Sequence, residues 1–157
     1  MALKQHKDDR VRFEQQVDNS RSYVLPFIAQ TKQLGPGTKI LEIGCGEGGV
    51  LVPFAELGCH CTGVDLDKLR IELANDFLAD FIKSGQAEFM YKNVYDDDFL
   101  ARFKNYFDVI ILKDVIEHIP DQELFVPYLK NLLKRDGQVF FGFPPWYMPF
   151  GGHQQIA

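Results

Sequence analysis

The sequence predicts an α/β fold, a doubly wound parallel sheet, from three observations. Five short runs rich in Val, Ile, Leu and Phe recur along the chain, separated by stretches of helical periodicity. Residues 40–49, Ile-Leu-Glu-Ile-Gly-Cys-Gly-Glu-Gly-Gly, carry one such run straight into a glycine-dense turn. Asp65 closes the next apolar run, 21 residues after Gly44.

In chain order, an amphipathic helical region is expected over about 10–33, then strands near 38–43, 60–65, 87–92, 107–112 and 137–143. Their continuous apolar character suits strands buried on both faces, and strand alternating with helix implies a parallel sheet. A helix is expected to start near Glu47. Another spans 67–83, with Asp67 as its N-cap, Ala74, Phe77, Leu78 and Phe81 on its buried stripe, and Ser84-Gly85 as its stop. Asp96, Asp97 and Asp98 precede Phe99-Leu100 and read as the acidic first turn of a helix, not as metal ligands. No metal site is expected.

With 157 residues, 46% hydrophobic and 13% aromatic, the chain supports one core and one domain. Its expected parts are a helical cap (1–36), a cofactor-binding core (37–143) and a substrate-side segment (144–157). A net charge of −5 and a pI near 5.3 argue against a sequence-independent grip on nucleic acid, which needs clustered Lys and Arg. No run approaches membrane-span length and the first ten residues are too charged for a secretory signal, so a cytoplasmic protein is expected. Cys45, Cys59 and Cys61 read as reduced thiols.

The chemistry begins at the turn. Gly44, Gly46 and Gly48 permit unusual φ values and allow close approach of a ligand to the backbone, with helix N–H groups behind them. Asp65 stands where a strand-end carboxylate can hold ribose hydroxyls. Gly44-x-Gly46-x-x-Gly49 also meets the dinucleotide fingerprint, which alone is weak. Glu42 separates the two readings, because a carboxylate there repels a pyrophosphate yet can anchor the ammonium of an amino-acid-bearing cofactor. That favours S-adenosylmethionine over NAD.

The segment Glu42-Ile43-Gly44-Cys45-Gly46-Glu47-Gly48 resembles the first motif of the class I S-adenosylmethionine-dependent methyltransferases. Gly63-Val64-Asp65-Leu66-Asp67, Lys92-Asn93-Val94 and Phe107 to Asp121 resemble three further motifs of that family. The resemblance covers about residues 38–143 and implies a Rossmann-like sheet of order 3-2-1-4-5. It implies that Glu42 faces the methionine end, that Gly44, Cys45, Gly46 and Gly48 form the turn beneath the cofactor, and that Asp65 binds the ribose. It further implies that Leu66 lies against adenine, that Asn93 and Val94 flank its edge, and that Lys113 and Asp114 line the methionine end. Asn93 departs from the family's usual aspartate, so the adenine amino group would meet a neutral acceptor.

Beyond the fifth strand, Trp146, Tyr147 and Phe150 either wall an acceptor pocket or cover the sheet edge. His153 is the first candidate for a general base and His118 the second, whereas His6 and His60 read as incidental. By analogy with the resembling family's covering N-terminal segment, the N-terminal helices are expected to form a lid, with Arg21 and Tyr23 as contacts to the cofactor carboxylate or the substrate; the plainer reading is a helix capped by Ser20. The resembling fold has two further strands, one antiparallel, but only 14 residues follow Phe143. The expectation is a truncated chain, or a homo-oligomer whose partner copy covers the edge.

The expected activity is methyl transfer to a small-molecule acceptor on oxygen or carbon. Two other classes stand beside it. One is an NAD(P)-dependent oxidoreductase, which would lack a visible Tyr-x-x-x-Lys pair. The other is a catalytically silent cofactor-binding or interaction module.

Overall fold

The computed structural model describes residues 2–143, with side chains from residue 8 onward. Expectations for Trp146, Tyr147, Phe150, His153 and the side chain of His6 lie outside the described residues. The chain opens on α1 (Ala2–Asn19), passes through a π-helical turn at Ser20–Val24, and continues into α2 (Leu25–Ala29). Ser20 is therefore inside a continuous helix and caps nothing; its hydroxyl leaves the helix and donates to the carbonyl of Val50 at 2.7 Å.

Next come β1 (Lys39–Ile43), a 3-10 turn at Gly49–Leu51, α3 (Val52–Glu56) and β2 (His60–Asp65). The expected helix start at Glu47 moves to Gly49, because the backbone is still left-handed at Gly46 and Gly48. The expected 67–83 helix is two, α4 (Lys68–Phe77) and α5 (Ala79–Lys83), broken at Leu78, whose φ of −106° and ψ of 23° leave the helical region. Asp67 does cap α4, accepting the amides of Leu69 and Arg70 at 3.0 and 3.4 Å. Gly85, at φ +78°, follows α5.

The remaining elements are β3 (Ala87–Tyr91), α6 (Asp97–Phe103), β4 (Phe107–Lys113), a 3-10 turn at Ile116–His118, α7 (Gln122–Tyr128) and β5 (Leu133–Gly142). Lys92 pairs with Asp96 and Asp98 at 3.8 and 2.6 Å, so the acidic run is a charged helix start. β5 begins four residues before the expected 137. Leu133 pairs with Phe107 and the ladder resumes at Val109–Gln138, so the residues between them form an irregularity in the strand.

All five strands are parallel and ordered β3-β2-β1-β4-β5. Successive residues point to opposite faces. Ile40, Val109 and Ile111 join Val24, Leu51, Phe54 and Ile71 in the core on one face. Leu41, Ile110 and Leu112 join Phe99, Phe103, Phe125 and Leu129 on the other. Covering both faces explains the apolar centres of β1 and β4, and it makes buried Glu42 on β1 conspicuous. Among the described residues no helix is long and apolar enough to cross a membrane.

Candidate functional site

The order 3-2-1-4-5 reverses direction between β1 and β4, and a crevice opens beyond the carboxyl ends of strands at such a switch point. A cavity of about 650 Å³ lies there. Gly44, Asp65, Leu66, Asn93, Val94 and Asp114 line it, so six of the expected cofactor residues converge from four separate loops. His118 is also on its wall. Glu42, Cys45, Gly46, Gly48 and Lys113 are not in the lining.

Asp65 is already oriented. Its Oδ2 accepts the amide of Gly46 at 2.8 Å and its Oδ1 accepts the amide of Asp67 at 2.9 Å. The turn is secured further by Gly44 and Cys45, whose amides donate to the Val64 carbonyl at 2.8 and 3.1 Å.

The glycines have reasons inside the protein as well as toward a ligand. Gly44 has φ +72°, and a Cβ there would stand 2.4 Å from Cγ2 of Val115. At Gly48, φ +81°, it would stand 2.8 Å from the Phe89 ring. The close approach expected of a ligand is therefore not the sole reason for these glycines, because neighbouring side chains fill the space. The expected free helix amides are corrected, since the amide of Gly49 donates to Oε1 of Gln16 at 3.1 Å.

Glu42 is 2% exposed, and its Oε2 has no hydrogen-bond partner among the described residues. Burial pushes its carboxyl well above the usual carboxylate range; the positive charge of Lys113 draws it down and Asp65 pushes it further up. Lys113 itself bonds Oδ2 of Asp114 at 2.6 Å. Asp114 sits at φ +56°, a left-handed conformation uncommon for a residue with a side chain, and its strain lies at the cavity. Burial likewise raises the Cys45 and Cys61 thiols, and all three cysteines are free and buried.

Three expectations change in detail. Oδ1 of Asn93, expected to face adenine, accepts the amide of Tyr95 at 3.0 Å in a local turn. Arg21 is not in the cavity lining; its Nη2 donates to both carboxylate oxygens of Glu56, at 2.9 and 2.8 Å, and Tyr23 is exposed. No described side chain of α1 lines the cavity, so the lid expected of it is not seen; α1 packs instead on α4 and the glycine turn, with Phe13 4.7 Å from Phe77 between ring centroids. Sequence reading passed over Arg70, Tyr95 and Phe125, which line the cavity. Arg70 had a local signal, since it is the third residue after the Asp67 cap and so on the first turn facing β2. It also missed Glu117, whose two carboxylate oxygens are buried with no partner among the described residues.

A model of the methyltransferase-domain family matches residues 13–145. The chain belongs to this family. Among curated methyltransferases it is 33% identical over 105 residues to the ubiquinone biosynthesis O-methyltransferase of Aromatoleum aromaticum, a match covering 67% of this chain and 43% of that one. The chain thus spans under half the length of that relative. Among solved methyltransferases it resembles one from Thiobacillus denitrificans, in complex with S-adenosyl-L-homocysteine, with a TM-score of 0.58 at 24% identity over 73% of this chain and 45% of that one. It also resembles a Haemonchus contortus phosphoethanolamine N-methyltransferase, with a TM-score of 0.62 at 24% identity over 73% and 26% of the two chains. These structural likenesses bear on the methyltransferase fold, which agrees with the strand order above.

Proposed function

We propose that this chain binds S-adenosylmethionine across the carboxyl ends of β1 and β4, as part of a protein that methylates a small molecule on oxygen or carbon. The observation that carries this reading is Glu42, a buried carboxylate two residues before the glycine turn, with one oxygen unpartnered among the described residues. A group in that state calls for a cationic donor. The cofactor's ammonium supplies one, whereas the phosphates of NAD would meet repulsion.

In this reading Asp65, aimed by the amides of Gly46 and Asp67, takes the ribose hydroxyls. Leu66 and Val94 offer apolar faces to adenine, and Asn93 retains its amide NH2 for the ring edge. Lys113 and Asp114 hold the methionine end as a charge-balanced pair. Gly44, Cys45, Gly46 and Gly48 shape the floor. Bound there, the cofactor would supply a methyl group on a sulfonium that is its own leaving group. The protein's task is therefore alignment and exclusion of water. His118, on the cavity wall, is the described residue that could take a proton from an acceptor hydroxyl; His153, the other candidate, lies outside the described residues. Oxygen as the acceptor atom is supported by the curated relative's name, and the free, buried cysteines suit a reducing cytoplasm.

Isothermal titration calorimetry with S-adenosylhomocysteine, with NAD for comparison and Asp65→Ala as control, tests the reading. Homocysteine-nucleoside binding that Asp65→Ala loses supports it. Binding of NAD alone, or of neither ligand, overturns it.

A further inference from the structure

The glycine turn contains a buried carboxylate that faces away from the cavity. Glu47 is fully buried, and a charge in that position persists only with partners. Both partners come from α1. Nε of Arg12 lies 3.3 Å from its Oε1, and Nε2 of Gln16 donates to its Oε2 at 3.0 Å. Arg12 is itself steadied by Asp9 one turn earlier.

The same Gln16 holds the next residues. Its Oε1 accepts the amide of Gly49, the first residue of the 3-10 turn, which would otherwise be an orphan donor. Gly49 has no side chain for a reason: a Cβ there would lie 2.6 Å from the carbonyl of Phe13 and 2.7 Å from Cβ of Gln16. One turn further along, Ser20 bonds the Val50 carbonyl at 2.7 Å from within the π-helical turn. Such wider turns re-aim side chains that a regular helix would direct elsewhere.

We propose that Gln16, assisted by Arg12, is a positioning residue for the cofactor turn. From outside the cavity it fixes residues 47–49 while Asp65 fixes Gly46 from β2, so the turn is held at both ends before a ligand arrives. This rests on the cofactor reading given above. Without Gln16, the Glu47 carboxylate and the Gly49 amide lose their partners and must move toward water, carrying the Gly46–Gly48 backbone with them. The ligand must then restore that order, and affinity falls by the same factor.

The test compares wild type, Gln16→Met, Arg12→Met at its half-exposed position, Gln15→Met on the exposed face of the same helix, and Asp65→Ala. S-adenosylhomocysteine affinity is measured well below each variant's unfolding midpoint. Gln16→Met is expected to bind about tenfold more weakly, Arg12→Met to change in the same direction by less, and Gln15→Met to match wild type. A purely structural role for Gln16 would lower the unfolding midpoint and leave affinity alone. Wild-type affinity in both Gln16→Met and Arg12→Met, with binding lost in Asp65→Ala, overturns the positioning role and leaves the cofactor reading intact. No binding by wild type overturns both. Should Gln16→Met not fold, Arg12→Met decides by itself.

Discussion

Oδ2 of Asp65 accepts the amide of Gly46 at 2.8 Å, so the acid that ends β2 and the turn that follows β1 form one unit. The acid expected to recognise ribose is also the tie that keeps the turn in place. Loss of ligand in an Asp65 variant therefore has two sources, a missing contact and a released turn.

Asp65→Asn separates them in part, because it keeps the shape but puts an NH2 group opposite one of two amide donors. The expected loss in unfolding free energy is about 1–3 kcal/mol, by urea denaturation. S-adenosylhomocysteine affinity should fall as well, and stability unchanged from wild type would show that the tie to Gly46 contributes nothing.

Glu42 makes both stability and binding depend on pH. Its carboxyl titrates higher in the fold than in the unfolded chain, where the value is about 4.3, because burial disfavours the charged form. The unfolded state therefore releases this proton first as pH rises. The stability Glu42 allows is fully present below the unfolded value and is lost as pH rises through the folded one. Glu42→Gln should remove that loss and be the more stable protein at pH 8 in the ligand-free state.

Binding a ligand ammonium beside Glu42 favours its charged form, so a proton should leave on binding wherever Glu42 is protonated in the free protein. Calorimetric enthalpies for S-adenosylhomocysteine measured in buffers of different ionisation enthalpy should then diverge. In Glu42→Gln they should converge, and equal divergence in the two proteins would remove Glu42 from the ligand's ammonium.

Gly48→Ala meets two obstacles. Its φ of +81° costs about 1–3 kcal/mol for a residue with a Cβ, and that atom would press on the Phe89 ring at 2.8 Å. A fall of that size or more is expected in thermal or urea unfolding. A near-neutral result would mean that the turn can relax away from Phe89.

Ser20→Ala leaves the buried Val50 carbonyl without its donor and should lower the unfolding free energy by about 1–2 kcal/mol. Arg21→Ala, next in sequence, breaks an exposed pair with Glu56 and should change it by less than about 1 kcal/mol. Chemical denaturation of the two variants side by side checks this ranking.

The sequence by itself determined what depends on short windows. Apolar runs placed β1, β2, β3 and β4 to within a residue at each end, since strands buried on both faces have almost no alternative composition. Asp67 was legible as a cap because its partners are two and three residues away. The glycine turn and Asp65 were legible because a strand end followed by glycines, and a second strand ending in an acid, are local patterns.

Tertiary structure decided whatever depends on distant pairs. Gln16 and Glu47 are 31 residues apart, and Ser20 and Val50 are 30 apart; nothing in either window names the other. For that reason α1, which the family resemblance suggested as a lid, is instead a brace for the turn. β5 begins early because its first residue, Leu133, pairs with Phe107 on β4, a contact that its own window does not announce. The glycines at 44 and 48 show both levels at once: the sequence announces a special backbone, and only the packing of Val115 and Phe89 reveals what occupies the space that the missing side chains leave.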